Sequence, residues 1–162
     1  MYEWGIMPAK TLLDELDIAI LKELQDECRT PLQEIADKVG APTSTVHYRL
    51  KRLERAGIIE GYYAKLNPER LDIDYIASIR LSIDLAPTSY DIIGNELKKI
   101  SGVWTVYMVL GDCDFLILTR SKNREDFMKI IDKILEIDGI RQLHTQVVAK
   151  LVKEDPRLEL SM

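Results

Sequence analysis

The sequence predicts an α+β fold in two parts: three helices ending in a helix-turn-helix, then a β-α-β-β-α-β alternation. Three observations carry this expectation. Apolar residues recur at helical spacing through the first third of the chain. Period-two alternation sets in at Tyr75. Gly, Pro, Asn and Asp mark the joints between these segments. The 162 residues suit two small domains, each with a modest core.

Leu16, Ile20, Leu21 and Leu24 share one helical face, and Asp14 or Asp17 supplies the early carboxylate that a helix N-terminus favours. After Arg29-Thr30-Pro31, residues 32–39 place Leu32, Ile35, Ala36 and Val39 on one face, with Thr30 as the expected cap and Pro31 in the first helical position. Gly40-Ala41-Pro42 makes a tight turn, because Gly accepts a left-handed cap and Pro stops the preceding helix. Residues 43–57 form a third, basic helix. Val46, Leu50, Leu53 and Gly57 fall on its core side, and Ser44, Tyr48, Lys51, Arg52 and Arg55 on the other. The strand-forming run over 58–66, closed by Asn67-Pro68, reads as the wing of a winged helix-turn-helix.

The third helix carries Arg49, Lys51, Arg52 and Arg55 against a single Glu54, inside a chain whose net charge is −5. An acidic protein does not bind polyanions indiscriminately, so a concentrated basic face points to nucleic-acid phosphate; such a helix taken alone reads equally as a solvated face, and it is the preceding helix and turn that make double-stranded DNA the expected partner. In a helix-turn-helix the start of this helix faces base edges and later cations meet phosphate. Ser44, Thr45, His47 and Tyr48 are therefore the candidate base readers, and Lys51, Arg52 and Arg55 the candidate phosphate contacts. Arg49 lies toward the core flank, so two roles stay open for it: phosphate, or a carboxylate of the first helix.

In the second part, Ile79, Leu81, Ile83 and Leu85 alternate with Ser78, Arg80, Ser82 and Asp84, as a half-buried strand requires, and Ala86-Pro87-Thr88 ends it. Ile92, Ile93, Leu97 and Ile100 give a helix that stops at Ser101-Gly102. Residues 103–110 and 115–119 form a hairpin around Gly111-Asp112-Cys113-Asp114. A helix over 124–136 buries Phe127, Ile130, Ile131, Ile134 and Leu135, and a last strand covers 140–152. The order is ferredoxin-like, with helices on one sheet face. The other face, left bare, exceeds the apolar patch a monomer usually exposes, so a second copy of the chain is the expected cover. The divisions are an extension over 1–12, the winged helix-turn-helix over 13–61, a linker strand over 62–74 and a ferredoxin-like dimerisation and effector domain over 75–162.

No apolar run approaches the roughly 20 residues of a membrane helix, and the first ten residues lack a signal-peptide pattern, so a soluble, cytoplasmic protein is expected. Cys28 and Cys113 stand far apart without paired metal-ligand spacing, which argues against a disulfide framework or a zinc site. With only His47 and His144, no hydrolytic triad, phosphate loop or zinc motif is visible. No catalytic residue, metal or cofactor is expected.

Leu16-Asp17 with Ile20-Leu21, residues 32–36, Val39-Gly40, residues 45–50 and residues 53–59 together resemble the Lrp/AsnC, or feast/famine, transcription regulators. The resemblance runs over about 13–153. It departs at Pro42, where the family often has a capping Ser, a task Thr43 or Ser44 can take over. The resemblance implies dimers that assemble further into tetramers or octamers. It also implies an amino-acid effector bound between dimers beside a Gly-Asp-x-Asp turn and the final strand. Gly111, Asp112 and Asp114 match that turn and Thr145 the strand; read from spacing alone, the same residues are a hairpin turn. The alternative on the same two-domain design is a sirohaem-decarboxylase-like enzyme, which the basic third helix disfavours.

Overall fold

The computed structural model describes residues 13–84 and 89–160. The 1–12 extension and the expected break at Leu85 to Thr88 lie outside them. The chain separates into two compact units. One runs through Lys65 and takes up the segment from Asp155 onward; the other spans Leu66–Glu154.

The first unit packs α1 (Glu15–Asp26), α2 (Leu32–Val39) and α3 (Thr43–Arg55). Ile20, Ile35, Ala36 and Val46 form its centre, with Leu16, Leu24, Leu32 and Val39 packed against them. These are the apolar stripes of the three helices meeting, and each large aliphatic side chain fully removed from water there, as Ile20, Ile35 and Val46 are, contributes on the order of 1.5–3 kcal/mol. A capping box starts α1: Asp14 accepts from Asp17 N at 3.0 Å while Asp17 accepts from Asp14 N at 3.1 Å. Gly40 ends α2 at φ 68°, the left-handed cap its position implied.

Four local expectations are corrected. Thr30 does not cap α2; its hydroxyl donates to Glu27 O at 2.9 Å, and the helix starts behind Pro31 with no side-chain cap. Neither Thr43 nor Ser44 caps α3, which starts behind Pro42; Thr43 instead donates to Gln33 Oε1 at 2.6 Å, tying α3 to α2. Gly57 is exposed rather than on the core side, because the chain leaves the helix there at φ 68°. Residues 58–66 and the expected linker strand over 62–74 contain no strand among the described residues, only a 3-10 turn, Glu69–Leu71. Strand-forming residues need a paired neighbour to satisfy their backbone, and the described chain supplies none beside them.

The segment after Asp155 belongs to this unit because it docks on the end of α1. Leu158 N donates to Gln25 Oε1 at 2.6 Å, Gln25 Nε2 donates to Leu158 O at 3.1 Å, and Arg157 pairs with Asp26 at 2.7 Å.

The second unit follows the order β1 (Tyr75–Ile83), α4 (Ser89–Leu97), β2 (Val103–Met108), β3 (Phe115–Ser121), α5 (Arg124–Leu135), β4 (Ile140–Val147). The strands lie in the order β2-β3-β1-β4, antiparallel throughout, which is the ferredoxin-like arrangement. Ala77, Ile79, Leu81 and Ile83 of β1 and Phe115 and Ile117 of β3 pack on Ile93 and Leu97 of α4 and on Phe127, Ile130 and Ile134 of α5. β4 ends at Val147, not at 152. It runs antiparallel to β1, Val148 N makes a last bond to Ile76 O at 2.9 Å, and β1 begins one residue earlier, so β4 runs out of partner.

The sheet's other face carries Ile76, Ser78 and Arg80 across from Arg120, Leu118 and Leu116. Tyr107 and Trp104 of β2 are about half exposed, and the Arg120 guanidinium lies 5.6 Å from the centre of the Trp104 ring.

Candidate nucleic-acid interface and effector turn

The core side of α3 is shut: Val46 and Leu53 are fully buried and Leu50 nearly so. Its opposite side is a shallow concavity lined by Ser44, His47, Tyr48, Lys51, Arg52 and Arg55. Tyr48 is 66% exposed and stands out from the helix, while Thr45 is half-buried at the edge. The helix therefore offers hydroxyls, an imidazole and a phenol over its first turns and cations over its last.

The four cations do not act alike. Arg49 donates to Asp14 Oδ2 at 2.5 Å and reaches both oxygens of Asp17 at 3.3 Å; Arg52 donates to Asp17 Oδ2. Asp17 is fully buried, so two guanidinium groups of α3 neutralise one interior carboxylate of α1. Arg49 thus takes the second of the two roles open to it. Arg52, expected at phosphate, turns back toward the core flank, its side chain 36% exposed, and holds α3 to α1. Asp14 is held below the usual carboxylate range first by the backbone N–H of Asp17 and then by Arg49.

Lys51 donates to Glu54 Oε2 at 2.8 Å, and Tyr62 OH donates to Glu54 Oε1 at 3.1 Å. The Tyr62 phenol is pushed up to about 12 by burial and by the Glu54 carboxylate, so it stays a donor at neutral pH. Arg55 is exposed and forms no ion pair among the described residues.

Three residues here were missed from sequence: Asp17, Glu54 and Tyr62. For Asp17 a signal existed. Asp17, Ile20, Leu21 and Leu24 follow the spacing of an apolar stripe, so the carboxylate occupies a core position and demands a buried cation.

In the second unit, the turn over 111–114 joins β2 to β3. Asp114 is fully engaged: Oδ2 accepts from Ile83 N at 2.9 Å and Oδ1 from Tyr90 OH at 2.8 Å. It pins the turn to β1 and α4. Asp112 is free of such duties, 79% exposed at the side chain and paired with Arg80 Nη1 at 2.9 Å. Gly111 has ordinary backbone angles and open space about it, so the fold does not itself require glycine there. Thr145 is exposed and registers with Ile79, on the helix side of the sheet, whereas Arg80 points to the other side. Within one chain Thr145 is therefore not gathered to Asp112.

Among the described residues no three His, Cys, Asp or Glu side chains cluster as a metal site, and no helix is long and apolar enough to cross a membrane.

Comparison with known proteins agrees with both units. Residues 13–60 match the winged helix-turn-helix DNA-binding family, and residues 76–158 match the Lrp/AsnC ligand binding domain. The HTH-type transcriptional regulator FL11 of Pyrococcus furiosus is 33% identical over 147 residues, covering 91% of this chain and 96% of the relative. A transcriptional regulator from Neisseria meningitidis, solved as an L-Met complex, is 30% identical, with a TM-score of 0.84 over 91% of this chain and 97% of that one. The feast or famine regulatory protein of M. tuberculosis complexed with L-methionine is 26% identical, with a TM-score of 0.82 over 91% and 99%. These relatives are regulators, which does not favour the sirohaem-decarboxylase alternative. The basic third helix, the ferredoxin-like unit that follows it in the chain and likeness along nearly the whole chain make this protein a member of the Lrp/AsnC family, a DNA-binding transcription regulator.

Proposed function

We propose that the chain reads duplex DNA with the outward face of α3, as a homodimer, and that an amino-acid effector bound at the turn over 111–114 modulates it. The observation that carries the DNA reading is the division of labour on α3. Ser44, Thr45, His47 and Tyr48 present adaptable donors and acceptors at the helix start, where base edges are met in the major groove. Arg55, exposed and unpaired among the described residues, supplies the phosphate contact, with Lys51 beside it. Arg49 and Arg52 serve at one remove, fixing the pitch of α3 through Asp17. A pool of random duplexes selected on the full chain should yield a motif with two half-sites about one helical turn, or a multiple, apart. Enrichment of no motif would overturn the reading.

Pairing of two copies through the open sheet face is supported by its composition. Ile76, Leu116, Leu118, Trp104 and Tyr107 share it with Arg80 and Arg120, a mixture suited to a buried interface. Further assembly into tetramers or octamers is the expectation from the family.

The effector reading rests on Asp112, Gly111 and Thr145. The exposed Arg80–Asp112 pair carries the two charges that a zwitterionic amino acid complements, and glycine at 111 leaves room for close approach. Thr145, on the other side of its own sheet, enters such a site only at a contact between chains. Asp114 is the residue that shapes the turn rather than one that takes the ligand. Two relatives are known as methionine complexes, so L-methionine is the first ligand to titrate. Heat of binding lost in Asp112→Ala would support the site, and unchanged heat in that variant would refute it. The ligand can act only by preferring one assembly or conformation over another.

A further inference from the structure

Three of the four cations on the DNA-facing helix meet a carboxylate of the same chain: Arg49 and Arg52 meet Asp14 and Asp17, and Lys51 meets Glu54. The first two pairs are explained by the packing of α3 on α1. The third is not. Lys51 and Glu54 both sit toward solvent, with side chains 51% and 28% exposed, where an isolated pair contributes little to stability.

Glu54 is nevertheless held in place. Its second oxygen accepts from Tyr62 OH, in the segment that follows α3, and the phenol remains protonated throughout the neutral range. Lys51 lines the same concavity as Ser44, His47, Tyr48 and Arg55, so the anchored carboxylate occupies the ammonium on the surface offered to DNA.

We infer that Glu54, anchored by Tyr62, is a positioning residue that competes with DNA phosphate for Lys51 and thereby restrains sequence-independent binding. The inference rests on the reading of α3 as the DNA-facing helix. A backbone phosphate must displace Glu54 to reach Lys51, and the displaced carboxylate then stands near the duplex. The pair as a unit carries no net charge and so releases no counterion of its own. A base contact elsewhere on the helix loses nothing by this. The restraint therefore falls on the phosphate contacts that selected and scrambled sequences share, and leaves the base contacts to discriminate between them.

The test is a salt titration of the full-length protein on a selected duplex and on a scrambled one. Glu54→Gln keeps the shape and a neutral acceptor for Tyr62 while leaving Lys51 unopposed. It should tighten scrambled-DNA binding and steepen the log affinity against log salt slope by about 0.9 per chain, which is a further drop of about 3.5-fold between 50 and 200 mM salt. Tyr62→Phe, which frees Glu54 without removing it, should move the same way by less. Lys51→Ala with Glu54→Gln, which like the wild-type pair carries no net charge, should return the slope to the wild-type value. If Glu54→Gln steepens the slope and the double variant keeps the steeper value, the placing of Lys51 at phosphate is wrong. If Arg55→Ala leaves the slope unchanged, the DNA-facing reading of α3 is wrong; if Arg55→Ala flattens it but Glu54→Gln does not steepen it, the competition is refuted while the DNA face stands.

Discussion

Replacing Asp17 with Asn removes one charge from the interior of the DNA-binding unit and leaves the shape intact. Asn still offers an oxygen to Asp14 N, so the capping box survives in part, and what is lost is the counter-charge for Arg49 and Arg52. Breaking a fully buried pair by removing one partner costs roughly 3–5 kcal/mol. Here the two guanidinium side chains retain 23% and 36% exposure and can turn partly to water, so the cost of losing the Asp17 charge falls to about 2 kcal/mol. For a unit of this size that corresponds to a fall in melting temperature of about 8–16 °C. The loss should be confined to the first unit. Hydrogen exchange followed by fragment would show it as faster exchange in α1 and α3 with the sheet unchanged. Glu15→Gln, an exposed change in the same helix, is the control and should cost less than about 0.5 kcal/mol. A loss for Asp17→Asn no larger than the control would refute the claim that the two arginines are structural.

The arginines of α3 should separate in a second experiment: Arg55→Ala should leave melting unchanged and flatten the salt dependence of DNA binding by about 0.9 per chain, whereas Arg52→Ala should lower melting of the first unit. Equal behaviour of the two variants would merge the roles assigned to them. At the turn, Asp114→Ala strips the acceptor from Ile83 N and Tyr90 OH and should cost about 1–3 kcal/mol, while exposed Asp112→Ala should stay within about 0.5 kcal/mol of wild type in thermal unfolding. Acid should act through Asp14. Its carboxyl is depressed below the ordinary 3.8, so its stabilising contribution is complete above that value and is lost as pH falls through the lower folded one. The part of a pH-melting curve that Asp14→Asn abolishes should accordingly lie below about pH 4. Gly102 sits at φ 90°, where an added Cβ would lie 2.5 Å from Ile130 Cδ1 and 3.0 Å from Arg120 O. Gly102→Ala should thus destabilise the second unit by about 1–3 kcal/mol, checked by denaturant melting.

Hydrophobic period was enough to read the architecture. Ile20, Leu21, Ile35, Ala36, Val46, Leu50 and Leu53 of the three helical stripes and Ile79, Leu81 and Ile83 of β1 are buried, with Leu16, Leu24, Leu32 and Val39 half-buried; Leu135, expected inside with the rest of its helix face, is 57% exposed. Side-chain partnership was harder to read, because it depends on which elements meet. Arg52 lies about 120° from the centre of the apolar stripe of α3, far enough round to look solvent-facing, and only the approach of Asp17 from another helix draws it inward. Asp114 and Asp112 are alike in sequence, yet the fold gives one two donors and leaves the other at the surface. The strand expected over 58–66 failed for a related reason: β propensity expresses fit to a neighbouring strand, and none of the described residues provides one. The caps expected at Thr30 and Thr43 were displaced by Pro31 and Pro42, which start the helices without a side-chain bond.

Base reading by the start of α3 is tested by selection from a random duplex pool with the wild-type chain and with Ser44→Ala plus Tyr48→Phe, two changes on the exposed face that touch no core residue. The expected result is a two-half-site motif for the wild type and, for the variant, altered preference at a few positions within each half-site, with binding to scrambled DNA unchanged. The same motif at the same stringency from both proteins would contradict the claim.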